Sequence, residues 1–119
     1  MAERDTLTDA IIGAAIEVHR ETGPGLLESV YQKCLVYELR LRHVDCLPQA
    51  RLPIVYKGKV IDDNDIVMDL YFPDRLVVEL KAVDKLLPIH EAQLLSYLRL
   101  SKTHTGRLIN FNVRLPKTA

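Results

Sequence analysis

Between Ile66 and Ala82 the chain carries two carboxylates and an ammonium at spacings that could do chemistry: Asp69, then Glu79 and Lys81 two places apart. Hard divalent cations such as Mg2+ take carboxylate oxygens and keep waters for a phosphate substrate. A lysine beside such a pair offsets part of its charge or meets the phosphate itself. That chemistry requires Asp69 and Glu79 to meet in space.

Hydrophobic patterning predicts that they do. Side chains alternate faces along a strand. Ile66, Met68, Leu70, Phe72, Leu76, Val78, Leu80 and Ala82 are apolar and even-numbered, whereas Asp69, Glu79 and Lys81 are odd. Burying the even set on one face requires cross-strand partners whose numbers sum to an even value. A two-residue turn at Pro73-Asp74 would pair Phe72 with Arg75 and scatter the apolar set over both faces. A three-residue loop, Pro73-Asp74-Arg75, pairs Phe72 with Leu76 and sets Asp69 opposite Glu79, with Cβ atoms ~4.5–5.5 Å apart. Two opposed carboxylates repel unless something cationic sits between them. The plain alternative is a solvated polar face with a surface salt bridge.

The elements that must position these groups follow from periodicity. Thr6 or Thr8 can cap a helix running to about Arg20, with Leu7, Ile11, Ala14, Ala15 and Val18 on one stripe. Gly23-Pro24-Gly25 ends it, and a second helix is expected from Leu26 to Arg42. Leu47-Pro48-Gln49 breaks that pattern. Leu52–Tyr56 and Lys59–Ile61 then read as a hairpin around Lys57-Gly58, followed by an acidic loop, Asp62-Asp63-Asn64-Asp65. Strands are expected at 66–72 and 76–82, a helix from Pro88 to Ser101, and a last strand from Arg107 to Val113. If strands 76–82 and 107–113 are parallel, they form a right-handed βαβ unit around that helix. Two helices, a run of strands, a helix and a strand make a mixed α/β fold in one domain, residues 1–119.

Further residues extend the pattern. Gly25-Leu26-Leu27-Glu28-Ser29-Val30-Tyr31 precedes the carboxylates, and Gln93-Leu94-Leu95-Ser96-Tyr97 follows them. With these, the chain resembles the GxxExxY family, a branch of the PD-(D/E)XK nuclease superfamily. Gly25, Glu28 and Tyr31 match the name motif, and Asp69 with Glu79-Leu80-Lys81 resembles the D…(D/E)xK core. Gln93 and Tyr97 match the QxxxY motif of RecB-like nucleases, and Leu108-Ile109-Asn110-Phe111-Asn112 resembles the closing strand. The resemblance implies a restriction-endonuclease-like αβββαβ core, a central mixed sheet flanked by helices, with an extra N-terminal helix.

The resemblance also implies roles. Asp69 and Glu79 would ligate Mg2+ or Mn2+ with the Leu80 carbonyl, and Glu28 would join as a further ligand, directly or through water. Lys81 would position the attacking water or stabilise charge on the phosphate. Gln93 and Tyr97, four apart on one helix face, would point at the same site. Each has a plainer reading. Glu28 could be a first-turn carboxylate favoured by its helix dipole, Tyr31 and Tyr97 core residues, and Gln93 a solvated one.

Other patterns fail on inspection. His90-Glu91-Ala92-Gln93-Leu94 lacks the second histidine of HExxH, Gly23-Pro24-Gly25 lacks the third glycine of a dinucleotide loop, and Gly58-Lys59 lacks the upstream glycine of a P-loop. His19, His43, His90 and His104 show no ligand spacing and read as surface or capping residues.

The whole-chain charge is zero, 16 Lys+Arg against 16 Asp+Glu, which by itself provides no field for nucleic acid or an anionic membrane. It divides unevenly. Residues 1–80 carry 9 basic and 14 acidic side chains, a net −5, and residues 81–119 carry 7 and 2, a net +5. The acidic part holds the three proposed ligands. The basic residues Lys81, Lys85, Arg99, Lys102, Arg107 and Arg114 could then meet phosphates once a cation is bound. Cys34 and Cys46 read as reduced thiols of a cytoplasmic protein, and no apolar run suits a secretory segment or a membrane span.

Two readings stay open. One is a metal-dependent nuclease hydrolysing phosphodiester bonds of nucleic acid, DNA rather than RNA. The other is a nuclease-fold binding or assembly module with weak or no activity, working as a homodimer or with a partner protein.

Overall fold

The structure, a computed structural model, describes residues 6–112, leaving aside the side chains of 62–65. Val113 and Arg114, named above, lie outside the described residues, as do Met1–Asp5. The elements run α1 (Thr6–Thr22), α2 (Glu28–Leu41), β1 (Leu47–Tyr56), β2 (Lys59–Phe72), β3 (Leu76–Lys81), α3 (Pro88–Ser101) and β4 (Gly106–Asn110). From α2 onward this is the expected αβββαβ order, with α1 as the extra helix.

The strands form one sheet in the order β1-β2-β3-β4. β1 with β2 and β2 with β3 are antiparallel. Between β3 and β4 the bonds run in ascending order, Val77 N–H to the Thr105 carbonyl and Phe111 N–H to the Lys81 carbonyl, so these strands are parallel and the sheet is mixed. Phe72 pairs with Leu76, Tyr71 with Val77 and Leu70 with Val78, the register predicted for a three-residue connection. Pro73 presets the first turn position. Asp74 takes the left-handed backbone (φ 62) that the next position of a type II turn requires, and the Arg75 N–H closes on the Phe72 carbonyl at 2.9 Å.

Two expectations need correction. The acidic segment 62–65 is not a loop but part of β2. Leu52 pairs with Ile66 and Ile54 with Asp62, so irregular pairing of the bulge kind absorbs the extra β2 residues and keeps the backbone in the sheet. β1 likewise starts at Leu47 instead of after the Pro48 break. It is an edge strand, where a residue without an N–H is tolerated.

The chain divides into two compact units. One comprises the chain up to Asp45, Leu80–Asp84 and the segment from Asn110; the other comprises Cys46–Glu79 and Lys85–Ile109. In the first, α1 and α2 pack together, and Leu7, Ile11, Ala14, Val18, Leu35 and Leu39 on them are buried. The Tyr31 ring stacks on Phe111 with centroids 4.5 Å apart. Asn110 grips Val83 through both main-chain groups, donating to its carbonyl at 2.9 Å and accepting from its N–H at 3.1 Å. In the second unit, Met68, Val77 and Leu94 form a buried cluster with Ala50, Leu52, Tyr71, Tyr97, Leu98 and Leu108 against it. Val77 is odd-numbered and Met68 even, so the apolar side chains do not sort to one face as strictly as the alternation predicts. β3 is buried from Leu76 to Leu80, on both faces.

Candidate active site

Asp69 sits on the central strand β2 and Glu79 on β3. They stand one step beyond Leu70 and Val78, the last paired residues of the two strands. The Glu79 carboxylate accepts the Asp69 backbone N–H at 2.8 Å. Glu79 is only 4% exposed. A carboxylate buried to that degree requires polar partners, and this bond supplies one. The solvated polar face considered from the sequence is therefore not what forms at Glu79.

Helix α3 brings Gln93 and Tyr97 to the same unit. The Gln93 Nε2 donates to the Tyr97 hydroxyl at 3.0 Å, as their spacing of one helical turn allows. Burial, and then the charge of Glu79, raises the Tyr97 phenol above the ordinary tyrosine range; the Gln93 bond lowers it and the Asp69 charge raises it again. Both carboxylates thus act on Tyr97 electrostatically. With its proton held more tightly and its oxygen accepting from Gln93, the hydroxyl keeps an O–H to donate.

Lys81 ends β3, two positions past Glu79, where alternation returns side chains to the Glu79 side of the strand. The Lys81 side chain is half-buried and its carbonyl accepts the Phe111 N–H. Glu28 begins α2, exposed, and its Oε2 accepts the Ala82 N–H at 3.2 Å. It therefore fastens the residue following Lys81. The Leu80 side chain is buried.

The remaining motif residue is structural. Tyr31 is fully buried; its hydroxyl donates to the Gly23 carbonyl and accepts the Leu26 N–H at 3.1 Å. These bonds fix the 23–26 turn, where Gly25 takes φ +104, a conformation that a side chain would strain. Tyr31 is the core residue of the plainer reading, with its hydroxyl bonded internally. His90 is a cap: its Nδ1 accepts the Leu87 N–H at 2.9 Å.

A family model described as the PD-(D/E)XK nuclease superfamily matches residues 5–119. The chain belongs to that superfamily. No curated protein and no solved structure matches it. Superfamily membership carries a nuclease-type function with nucleic acid as the partner, and divalent metals are typical of the superfamily.

Whether the residues suit such a metal is a matter of donor chemistry. Two carboxylates brought together by β2 and β3 are hard oxygen donors, as Mg2+ and Mn2+ require. Among the described residues no group of three His, Cys, Asp or Glu side chains is assembled for a metal. This suits a cation held by one or two carboxylates and completed by waters and substrate phosphate, as Mg2+ commonly is. It does not suit a closed protein cage. Sequence reasoning missed one neighbour of this pair: Gln49 on β1, whose Nε2 lies 3.5 Å from Asp69 Oδ1.

Proposed function

We propose that the chain is a Mg2+- or Mn2+-dependent nuclease that hydrolyses phosphodiester bonds of nucleic acid, DNA in preference to RNA. The observation that carries this reading is the buried Glu79 carboxylate bonded to the Asp69 backbone, in a chain of the PD-(D/E)XK superfamily. In this proposal Asp69 and Glu79 hold the cation. When bound, the cation polarises the scissile phosphate and acidifies a water toward neutrality.

The remaining roles follow from the side chains themselves. The Lys81 ammonium stabilises negative charge gathering on the phosphate oxygens. Tyr97, kept as O–H, donates a hydrogen bond to the substrate, and Gln93 fixes its orientation. Lys85, Arg99, Lys102 and Arg107 are exposed and available to phosphates along a strand. Gly25, Glu28 and Tyr31 support placing the chain in the GxxExxY branch. Cys34 and Cys46 stand as thiols, which supports a cytoplasmic protein. Among the described residues no helix is long and apolar enough to cross a membrane.

A second reading, a binding or assembly module acting as a homodimer or with a partner protein, draws support from exposed apolar side chains on α1 and α2. Ile12, Ile16, Val30, Tyr37 and Leu41 are among them. Incubating purified protein with DNA and RNA, with and without Mg2+ or Mn2+, separates the two. The nuclease reading expects metal-dependent cleavage that Lys81→Ala abolishes. Cleavage untouched by Lys81→Ala and Glu79→Gln, or none at all, contradicts it.

A further inference from the structure

Gln49 stands across β1 and β2 from Asp69. Pro48 pairs with Leu70 and Ala50 with Met68, so Gln49 and Asp69 are the residues between. The Gln49 amide donates to Asp69 Oδ1 at 3.5 Å, long for an N–H···O bond. Its backbone is left-handed (φ 52) with paired residues on both sides. A side chain in that conformation is costly, and such strain persists where the surroundings impose it, often beside a functional group. Gln49 is exposed, so core packing does not explain it.

We propose that Gln49 is a positioning residue for Asp69. Its amide engages Oδ1 and orients the carboxylate for a divalent cation, while Glu79 holds the Asp69 backbone from the opposite neighbouring strand. Asp69 is thereby set from both sides of β2. An amide suits this role because it donates a hydrogen bond to the carboxylate without adding a competing charge. The inference rests on the metal reading proposed above.

The test is Mn2+ binding by calorimetry on the full chain, beside thermal unfolding without metal, for wild type, Gln49→Ala and Gln49→Gly. Partners of metal ligands typically contribute ~10–100-fold to affinity, so both variants should bind Mn2+ at least about tenfold more weakly. Gln49→Gly should unfold at the wild-type temperature or above it, because glycine accepts the left-handed backbone without cost. A merely structural residue would give the opposite: lower unfolding temperatures and unchanged Mn2+ affinity. Wild-type affinity in both variants overturns the positioning role and leaves the metal reading standing. A wild-type chain that binds no Mn2+ overturns both.

Discussion

The Glu79 side chain holds the backbone of Asp69, its carboxylate accepting the Asp69 N–H at 2.8 Å one step beyond the last paired residues of β2 and β3. A bond that in a regular ladder would go to a main-chain carbonyl goes here to a side chain. Glu79 is thus committed to Asp69 through one carboxylate oxygen. This separates its two roles by experiment. Glu79→Gln retains an acceptor oxygen and should change folding stability by no more than about 1 kcal/mol. Glu79→Ala removes it and should cost roughly 1–3 kcal/mol. Both should lose metal-dependent cleavage by roughly 10²-fold or more, since several kcal/mol of charge stabilisation depend on the cation. Chemical denaturation beside a cleavage assay reads the two effects separately.

Lys81 should divide binding from chemistry. Lys81→Ala removes an ammonium without removing a proposed ligand, so Mn2+ affinity should stay near wild type while the cleavage rate falls by roughly 10²–10³-fold. Calorimetry and single-turnover cleavage on the same preparation check this. Loss of Mn2+ binding in that variant would assign Lys81 to the architecture of the site.

Tyr31 is expected to matter for stability alone. Tyr31→Phe keeps the ring against Phe111 but deletes the hydroxyl that binds the Gly23 carbonyl and the Leu26 N–H. The orphaned groups should lower stability by about 1–3 kcal/mol. Cleavage well below the unfolding temperature should be retained. Thermal unfolding and a low-temperature assay decide it.

The alkaline limb of stability should report Tyr97. Its phenol is raised by burial and by the Glu79 charge, so the folded chain holds that proton more tightly than the unfolded chain does. The stability from this difference is fully present below the ordinary tyrosine value and is lost as pH rises through the folded value. Above about pH 10, Tyr97→Phe should therefore lose stability less steeply than wild type. Denaturation midpoints across the alkaline range measure the slope.

Much of this arrangement is legible in the sequence because it rests on local rules. Even-numbered apolar residues and Pro73-Asp74-Arg75 fix the β2–β3 register as far as Leu70 and Val78, next to which the Glu79 carboxylate reaches the Asp69 N–H. Helix α3 begins at Pro88 as its φ preference dictates. What is hidden depends on nonlocal irregularity. The β1–β2 turn, with Lys57 and Gly58 both left-handed, pairs Tyr56 with Lys59. Carried on unbroken, that register would set Cys46 opposite Asp69. The shifts between Leu52 and Val55 move Gln49 there instead. No spacing rule locates such shifts, so Gln49 goes unseen and segment 62–65 reads as a loop. Tyr31 is legible as a core residue, but the spacing to Glu28 gives no sign that its hydroxyl bonds inward to the turn before it.

The claim on which the rest depends is that Asp69 and Glu79 together hold a divalent cation. Crystals soaked in Mn2+ and measured at the manganese absorption edge test it directly. An anomalous peak bonded to carboxylate oxygens of both Asp69 and Glu79 is the expected result. Manganese bound elsewhere, or no peak at these two residues in soaked crystals, would contradict it.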